Sequence, residues 1–427
     1  MIFEMPSRKS PDTTETLFDT ADIVILGGGI TGLTTAIVLQ SLGLSVKIVT
    51  EQLPRAAAGE GSLAPQVATS YAMASAYPHY LKVANLEQIS DDSQTVFGFL
   101  NTDVNSGIEI QELYEVFEDK PEPPALGSRR MALEYFDGKP NQLKNTIDPP
   151  ARPGAEYLWG WKFDTYFADM PKYLSFLWSL FHKREGKLQT LKITDDSESL
   201  LQNLSTVNSL KQAAGRLLVN CMGFGARDFA NDKADFKILR GKQLLVRGAP
   251  YVIGKRALPL AYNYTPKEEV FPRGDGNPEY MHFFSRSDGW LLGQTREPGT
   301  VDENGHWQGI VSPVETEAIN GIDVPLPFIE LNAALISNWL DLTFDRKQLI
   351  AREGYRYYRD PLASGVRLEM EEKFGACIIH NYGHGGSGIT MSWGCAIQVA
   401  RLVSQQLRVE ARPLASDLDR ILQNSMN

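Results

Sequence analysis

The chain has 427 residues, of which 43% are hydrophobic and 22% charged, a balance that is ordinary for a globular enzyme. This length exceeds one small core, so we expect two closely packed domains of roughly 100–200 residues each. The formal net charge of −10 at pH 7 disfavours nucleic acid as a partner, because binding to phosphates needs a basic surface.

The N-terminal stretch 1–20 is polar and lacks the apolar core of a signal peptide. The sequence has no apolar run of about 18 residues that would predict a membrane span, and its end is not a peroxisomal Ser-Lys-Leu tripeptide. The three cysteines form no CxxC pair, which favours a reducing compartment over a disulfide framework. We therefore expect a soluble, cytoplasmic protein with a flexible arm over residues 1–20.

A strand, a glycine turn and a helix follow the arm. Residues 22–26 are a short apolar, β-branched run that is typical of a buried parallel strand, and a helix is predicted from Leu33 to Leu42 with Gly43 as a left-handed cap. In the turn between them, the glycines permit a tight bend, close approach to a pyrophosphate, and close packing of helix on strand. We assign six residues of this turn to a dinucleotide: Gly27, Gly28, Gly29, Ile30, Thr31 and Gly32.

The second strand of this unit, residues 46–50, ends at an acidic residue. Glu51 stands 24 residues after Gly27, where a carboxylate can accept hydrogen bonds from ribose hydroxyls, and Gln52 follows it at the same strand end. A carboxylate there would repel a 2′-phosphate, but it does not separate NAD from FAD. A solvated strand end is the structural alternative for Glu51.

The middle of the chain changes character several times. Residues 118–153 are rich in proline and charge and predict irregular or edge structure; 168–187 and 327–341 predict helices; 217–221 predicts a buried strand; and 241–297 fits an antiparallel sheet. The sequence thus predicts an α/β fold, with a Rossmann-type nucleotide-binding domain built from separated segments and an inserted substrate domain with a mixed or antiparallel sheet. We place the first domain at 21–95, 155–235 and 345–427, and the second at 96–154 and 236–344.

A second glycine turn follows a predicted strand near the C-terminus. Four glycines fall within the six positions from Gly383 to Gly388, and a helix is predicted from about Ile389. The positive end of that helix would stabilise the negative charge of a reduced flavin. His380 and His384 could be mistaken for a metal pair, but they lie on a strand end and a loop with no carboxylate nearby, so we predict no metal site.

These motifs resemble the D-amino-acid oxidase family of flavoproteins. The resemblance is carried by the stretch from Ile378 to Gly386 with Gly388, Thr390 and 393–396, and by segments 220–223, 240–243 and 354–356, which occur in the family's order. It implies FAD bound without a covalent bond. Beside Glu51 and the first turn, it implies that the cofactor contacts Gly61, Ser62, Gly223, Gly385, Gly386, Ser387, Gly388, Ile389 and Thr390.

The resemblance also implies the catalytic residues. Arg356 would bind the substrate carboxylate, Tyr280 would donate a hydroxyl hydrogen bond to it, and the backbone at Gly386 would touch the substrate amine. Without the resemblance, such an arginine is more often a surface ion pair and such a tyrosine a half-buried core residue. The sequence departs from the family in having Gly276 where animal members carry a lid tyrosine, which leaves the substrate's identity undecided.

The implied activity is that of an FAD-dependent oxidase. It would transfer a hydride from the α-carbon of a D-amino acid to flavin N5, giving an imino acid, then a 2-oxo acid and ammonia, with hydrogen peroxide formed from oxygen. The alternative is a related flavin dehydrogenase, or an oxidase acting on another amine or imino acid such as glycine, sarcosine or a specialised metabolite. The expected partners are a small amino-acid or amine substrate and molecular oxygen, with no nucleic acid and no membrane; a homodimer is left open.

Overall fold

The computed structural model describes residues 21–55, 64–77, 82–122, 130–193, 196, 216–293, 295–302, 306–359, 365–373 and 376–407. The predicted arm over residues 1–20, and the predicted cofactor residues Gly61 and Ser62, lie outside these ranges. The strands are β1 (Ile23–Leu26), β2 (Val46–Thr50), β3 (Ile108–Phe117), β4 (Met131–Gly138), β5 (Leu158–Ala168), β6 (Lys187–Thr190), β7 (Arg216–Asn220), β8 (Phe236–Arg247), β9 (Leu260–Thr265), β10 (Met281–Arg286), β11 (Gly289–Gly293), β12 (Glu297–Val301), β13 (Trp307–Gly309), β14 (Thr316–Ile319), β15 (Ile322–Pro325), β16 (Leu349–Arg359), β17 (Arg367–Lys373) and β18 (Ala376–Tyr382). The α-helices are α1 (Ile30–Ser41), α2 (Leu86–Leu100), α3 (Pro140–Leu143), α4 (Met170–Lys183), α5 (Ala226–Ala230), α6 (Leu326–Leu340) and α7 (Gly388–Leu407), with 3-10 turns at Ala68–Tyr71, Gly223–Gly225, Arg346–Gln348 and Gly385–Ser387.

The first sheet contains both strands of the predicted nucleotide unit. Its order is β17–β18–β7–β1–β2–β6, and all neighbouring pairs are parallel except the antiparallel pair of β17 and β18. All four residues of β1 are fully buried, as expected for a strand with neighbours on both sides. The N-terminal and C-terminal segments thus combine in one Rossmann-type sheet, which confirms the predicted fold class.

Four helices pack together beside the first sheet. Helices α1 and α7, which each follow a glycine turn, contact one another, and α4 and α2 pack against them. The apolar stripe predicted for 168–187 forms the buried side of α4, including Tyr173, Leu177 and Phe181. These contacts fix the N-terminal ends of α1 and α7, the two places where the sequence analysis predicted cofactor binding.

The second sheet is larger and mainly antiparallel. Its order is β13–β12–β8–β11–β10–β9–β3–β5–β4, and β16 pairs with β8 along all eleven of its residues. The strand β4, from the segment predicted to be irregular or at an edge, is the edge strand beside β5. A hairpin of β14 and β15 and the helix α6 complete this part, whose core includes Phe283, Trp290 and Phe328.

Two strands differ from the predicted domain boundaries. The sequence analysis placed residues 158–168 and 349–359 in the cofactor domain, but β5 pairs with β3 and β4, and β16 pairs with β8, all in the second sheet. Strand pairing joins segments that are far apart in the chain, so local composition did not reveal it.

Within the described residues, no helix is long and apolar enough to cross a membrane.

Candidate functional site

One large cavity lies where the glycine turns of the first sheet face the second sheet. Its volume is about 1520 Å³, more than the roughly 300–1,000 Å³ that is usual for a small-molecule pocket. It is lined on one side by both glycine turns and on the other by side chains of β3, β5, β9, β10 and β16. The cavity therefore has room for a dinucleotide together with a second, smaller molecule.

The first glycine turn has no space for side chains. Gly27 has φ +104°, and a Cβ added there would stand 2.4 Å from the carbonyl oxygen of Cys221. Gly28, Gly29, Ile30 and Thr31 line the cavity. Gly32 lies behind the turn, where an added Cβ would stand 2.0 Å from the Gly27 oxygen, so its role is packing of helix on strand. The start of α1 is thereby presented to the cavity as an anion-binding helix end.

A threonine that the sequence analysis missed supports this turn. Oγ1 of Thr69 accepts a hydrogen bond of 3.0 Å from the backbone N–H of Ile30, and Thr69 lines the cavity. Its position in a 3-10 turn far from α1 in sequence left no local signal for this contact.

The acidic strand end lies at the rim of the same cavity. Glu51 and Gln52, the residues predicted to bind the ribose end of the cofactor, both line it. The Glu51 carboxylate stands 3.5 Å from Nζ of Lys192, and both side chains are more than half exposed, so this ion pair is weak and leaves the carboxylate accessible to hydroxyl donors.

The second glycine turn faces the cavity along its whole length. All six residues from Gly385 to Thr390 line it, and so does Gly223. Gly385 has φ +56°, and an added Cβ would stand 2.1 Å from the ring of Tyr358. Tyr358 also reaches Gly386, where an added Cβ would stand 2.9 Å from the tyrosine hydroxyl oxygen. Tyr358, which the sequence did not single out, thus covers this turn.

The two histidines near this turn are buried and neutral. Burial lowers the pKa of His384 to about 4. Burial, followed by the nearby charge of Arg367, lowers the pKa of His380 to about 4. The His380 ring contacts Asn220 at 3.3 Å and the Glu371 carboxylate at 3.0 Å, so the expectation that no carboxylate lies near the histidines is wrong, because the pairing of β17 with β18 brings Glu371 to His380. Among the described residues, no group of three or more His, Cys, Asp or Glu side chains is arranged to hold a metal ion.

Arg356 on β16 points its guanidinium into this site without a protein partner. Nη1 and Nη2 are buried and have no hydrogen-bond acceptor among the described residues. The side chain is adjacent to the second turn, because a Cβ added to Gly386 would stand 3.5 Å from Arg356 Cδ. Leaving a buried charged donor unsatisfied costs more than about 1–3 kcal/mol, so these nitrogens call for an anionic ligand.

Tyr280 lines the cavity together with Arg356 and Gly386. Its ring is held between two side chains: the guanidinium carbon of Arg296 lies 3.5 Å from the ring centroid, and the His282 ring meets it edge-on at 4.3 Å. The three residues proposed to be catalytic thus share one cavity, although they come from different sheets and loops.

The far wall of the cavity was not predicted from the sequence. It is a layer of aromatic and polar side chains in which strands of the second sheet supply Glu115, Trp161, Asn263 and His282, and the segments before α2 and β4 supply Tyr77 and Arg130. Within one strand, alternation predicts which side chains share a face of the sheet. Only the pairing of the strands shows that residues from several strands lie side by side on the face toward the cavity.

Two other arginines of the C-terminal segment, Arg359 and Arg367, lie outside the cavity lining and have a structural role. Arg359 Nε donates to Asp232 at 2.6 Å, and Arg367 Nε donates to Glu369 at 2.7 Å. Burial alone would raise the pKa of Asp232, but the hydrogen bonds from Arg359 and Tyr382 hold it well below its usual range. Cys395 is fully buried in α7 and packs as a small apolar residue.

The residues present fit FAD. The first turn and Glu51 offer the helix end and the carboxylate that a dinucleotide needs, and the second turn offers a helix N-terminus beside Arg356. At Gly27, Gly385 and Gly386 an added Cβ would clash with a neighbouring atom, so these positions have no side chain and a ligand can approach the backbone closely.

Comparisons with known proteins find relatives that match nearly the whole chain. A D-amino-acid oxidase from Rubrobacter xylanophilus is 28% identical over 91% of this chain and 97% of its own length. Human D-aspartate oxidase is 25% identical over 93% of this chain and 98% of its own. The crystal structure of glycine oxidase from Geobacillus kaustophilus shares the fold, with a TM-score of 0.57 and 14% identity over 92% of this chain and 95% of that chain.

The family profile described as FAD dependent oxidoreductase, abbreviated DAO, matches residues 22–402. This confirms the resemblance seen in the motifs and the choice of FAD over NAD. The chain belongs to the DAO family of FAD-dependent oxidoreductases.

Proposed function

We propose that this protein is an oxidase that removes two electrons from the α-carbon of a D-amino acid, or of a close amine, and delivers them to molecular oxygen. Relatives with the names D-amino-acid oxidase and D-aspartate oxidase match about nine-tenths of the chain, which supports an amino acid as the donor. The fold neighbours, such as glycine oxidase, support the architecture only.

The observation that carries the proposal is the unpartnered guanidinium of Arg356. A planar guanidinium binds a carboxylate with two parallel hydrogen bonds, so it fixes both the position and the orientation of an α-amino acid. Both terminal nitrogens of Arg356 are buried and free of protein acceptors among the described residues, as a carboxylate site requires.

The other two proposed catalytic residues complete the orientation. The Tyr280 hydroxyl adds a hydrogen bond to the same carboxylate, and the Gly386 backbone receives the amine. Two anchors on either side of the α-carbon hold the C–H bond in one direction, and such positioning supplies much of the rate acceleration. No base at the α-carbon is needed when the amine is already neutral.

Bound FAD supplies the two-electron oxidant. The chain assists through the N-terminus of α7, which begins at Gly388 and presents its positive end to the cavity. The imine leaves and is hydrolysed to a 2-oxo acid and ammonia, while oxygen takes up the electrons and leaves as hydrogen peroxide.

Anaerobic mixing of the purified holoprotein with a panel of D- and L-amino acids, glycine and sarcosine tests the proposal. We expect loss of the flavin absorbance near ~450 nm with D-amino acids, and peroxide in equal amount to the imine once air is admitted. A protein that stays yellow with the whole panel contradicts amine oxidation. Bleaching that air does not reverse, but that a quinone does, identifies a dehydrogenase instead.

A further inference from the structure

A second arginine lines the cavity on the wall opposite the glycine turns. Arg130 directly precedes β4, and its side chain is only 6% exposed. Its guanidinium carbon lies 5.2 Å from the ring centroid of Tyr77 and 5.0 Å from that of Phe163, so aromatic rings hold it in place. Nε and Nη1 are buried and have no hydrogen-bond partner among the described residues.

Glu115 is the nearest acid, and its oxygens already have other donors. It accepts from the Tyr77 hydroxyl at 2.6 Å, from the indole N–H of Trp161, and from Nδ2 of Asn263 at 3.3 Å. Its contact with Arg130 is a looser one, 3.8 Å from Nη2. Among the described residues of this wall, the buried side-chain groups left without a partner are Nε and Nη1 of Arg130, so a matching ligand group must be an acceptor.

A chain of contacts connects Arg130 to the proposed substrate anchor. The Tyr280 ring meets His282, the His282 ring contacts the Asn263 side-chain oxygen, and Asn263 donates to Glu115 beside Arg130. All of these residues line the one cavity. The wall with Arg130 and the anchor formed by Arg356 and Tyr280 therefore border the same space, which is where the side chain of a molecule held at Arg356 would lie.

The charge of the acceptor follows from the surroundings of Arg130. Hydrogen bonds between ionised partners are roughly twice as strong as neutral ones. An aliphatic side chain would leave Nε and Nη1 buried and unsatisfied, and a carboxamide would bring only one acceptor oxygen. A carboxylate brings two, and its charge offsets the desolvation of the guanidinium.

We propose that Arg130 binds a carboxylate at the end of the substrate's side chain, so that the preferred donors are acidic amino acids. This rests on the proposed function, because it assumes that an amino acid is held at Arg356. In this proposal Arg356 binds the α-carboxylate that all the substrates share, and Arg130 distinguishes between them by their side chains.

The first test compares kcat/KM of the holoenzyme for D-aspartate and D-glutamate, D-asparagine and D-glutamine, and D-leucine. We expect the acids to be preferred in the wild type. Arg130→Met should lower kcat/KM for the acids by about 10-fold to 150-fold, the equivalent of one charged hydrogen bond, and change D-leucine by less than about threefold, within the scatter of a lost packing contact. Arg256→Met is the matched control, because Arg256 pairs with Asp164 and Glu112 on the same sheet and does not line the cavity.

A second measurement does not depend on amine oxidation. Calorimetric titration of the holoenzyme with succinate and with butyrate compares a dicarboxylate with a monocarboxylate of the same length. We expect tighter binding of succinate in the wild type and equal binding in Arg130→Met. If Arg130→Met does not fold, Arg130→Lys keeps the charge but lacks the planar pair of donor nitrogens that binds a carboxylate through two parallel hydrogen bonds, and should lose most of the preference.

Three outcomes overturn the proposal: a wild type that prefers carboxamides or leucine, equal binding of succinate and butyrate, or an Arg130→Met variant with unchanged preference. If Arg130 served only to neutralise Glu115, adding Glu115→Gln to Arg130→Met would restore the acidic preference, and that result also overturns it. Failure of the proposed function looks different, because then no amino acid bleaches the flavin in any variant.

Discussion

Arg356 and Tyr280 are proposed to bind the same carboxylate, Arg356 through its charged guanidinium and Tyr280 through its hydroxyl. The terminal nitrogens of the arginine are buried and lack a protein partner among the described residues, while the tyrosine is fixed by its ring contacts with Arg296 and His282. The two residues should therefore respond differently to substitution. Loss of the charge removes the main anchor, whereas loss of the hydroxyl leaves the ring in place.

Arg356→Met should lower kcat/KM for α-amino acids by about 10-fold to 150-fold, mostly through KM, because one or two charge-assisted hydrogen bonds are lost. An amine without a carboxylate should be oxidised no more slowly than by the wild type. Steady-state peroxide assays measure both. Arg346→Met is the control, since Arg346 is exposed and pairs with Glu317 far from the cavity lining. Unchanged kcat/KM in Arg356→Met would remove the residue from the carboxylate site.

Tyr280→Phe should raise KM by about threefold to tenfold, the loss of one neutral hydrogen bond, with a smaller change in kcat. The phenyl ring keeps its packing against Arg296 and His282, so stability should stay close to that of the wild type. Because both residues bind one carboxylate, the double variant Arg356→Met, Tyr280→Phe should lose less than the product of the single effects. Tyr135→Phe, an exposed tyrosine outside the cavity lining, is the control. Full additivity would show that the two side chains bind different groups.

At the scale of single elements, the two ends of α1 contain glycines with different constraints. Gly27 before the helix has φ +104° and a neighbouring backbone carbonyl within 2.4 Å of an added Cβ. Gly43 after the helix has φ +82° and nothing within 4 Å of an added Cβ. Both need the left-handed region, but only Gly27 also needs the missing side chain.

Gly43→Ala should therefore cost about 1–2 kcal/mol of unfolding free energy, the strain of a left-handed alanine, and keep its flavin. Gly27→Ala adds a clash that the rigid strand end cannot relieve, so we expect loss of FAD as well. The ratio of flavin to protein absorbance after desalting, together with the melting temperature, separates the two effects. A Gly27→Ala protein that retains a full complement of FAD would contradict the close approach of the cofactor.

Elements whose signal is local could be predicted from the sequence. The strand β1, both glycine turns and the stripe of α4 each depend on neighbours within about ten positions, and all are present in the structure. The helix α1 begins at Ile30, a little earlier than the predicted Leu33, because Thr69 supports its first turn. The wall with Arg130 and the cover formed by Tyr358 depend on contacts between separate segments, such as Arg130 with Tyr77 and Tyr358 with His384. A single sequence has no periodic signal for such contacts.

At the scale of the whole molecule, β16 links the two sheets. It pairs with β8 in the second sheet, while Tyr358 near its end forms a bridge with His384 in the second glycine turn. Arg356 lies two residues before this bridge. The substrate anchor is thus held in register with the cofactor turn by backbone pairing, and the cavity depends on both sheets being folded.

The stability of the whole fold should depend on pH through opposing buried groups. His380 and His384 have folded pKa values of about 4, depressed from 6.5, so the unfolded chain binds more protons and stability rises with pH between about 4 and 6.5. Burial raises the pKa of Glu279 from 4.5 to about 7, against the hydrogen bonds it accepts from the backbone N–H of Arg296. Its contribution is present below pH 4.5 and is lost as pH rises through about 7.

Single substitutions should separate these contributions. In urea unfolding at pH 5, 6 and 7 with saturating FAD, Glu279→Gln should make the rise of stability with pH steeper than in the wild type, because it removes the group that loses stability in this range. His384→Gln should make it shallower, because a proton that only the unfolded chain binds is lost. One full proton corresponds to about 1.4 kcal/mol per pH unit, so both changes are measurable. The buried position of Glu279 beside Arg296 predicts that its carboxyl titrates in this range. If the unfolding free energies of Glu279→Gln and the wild type changed with pH in parallel, that prediction would be wrong.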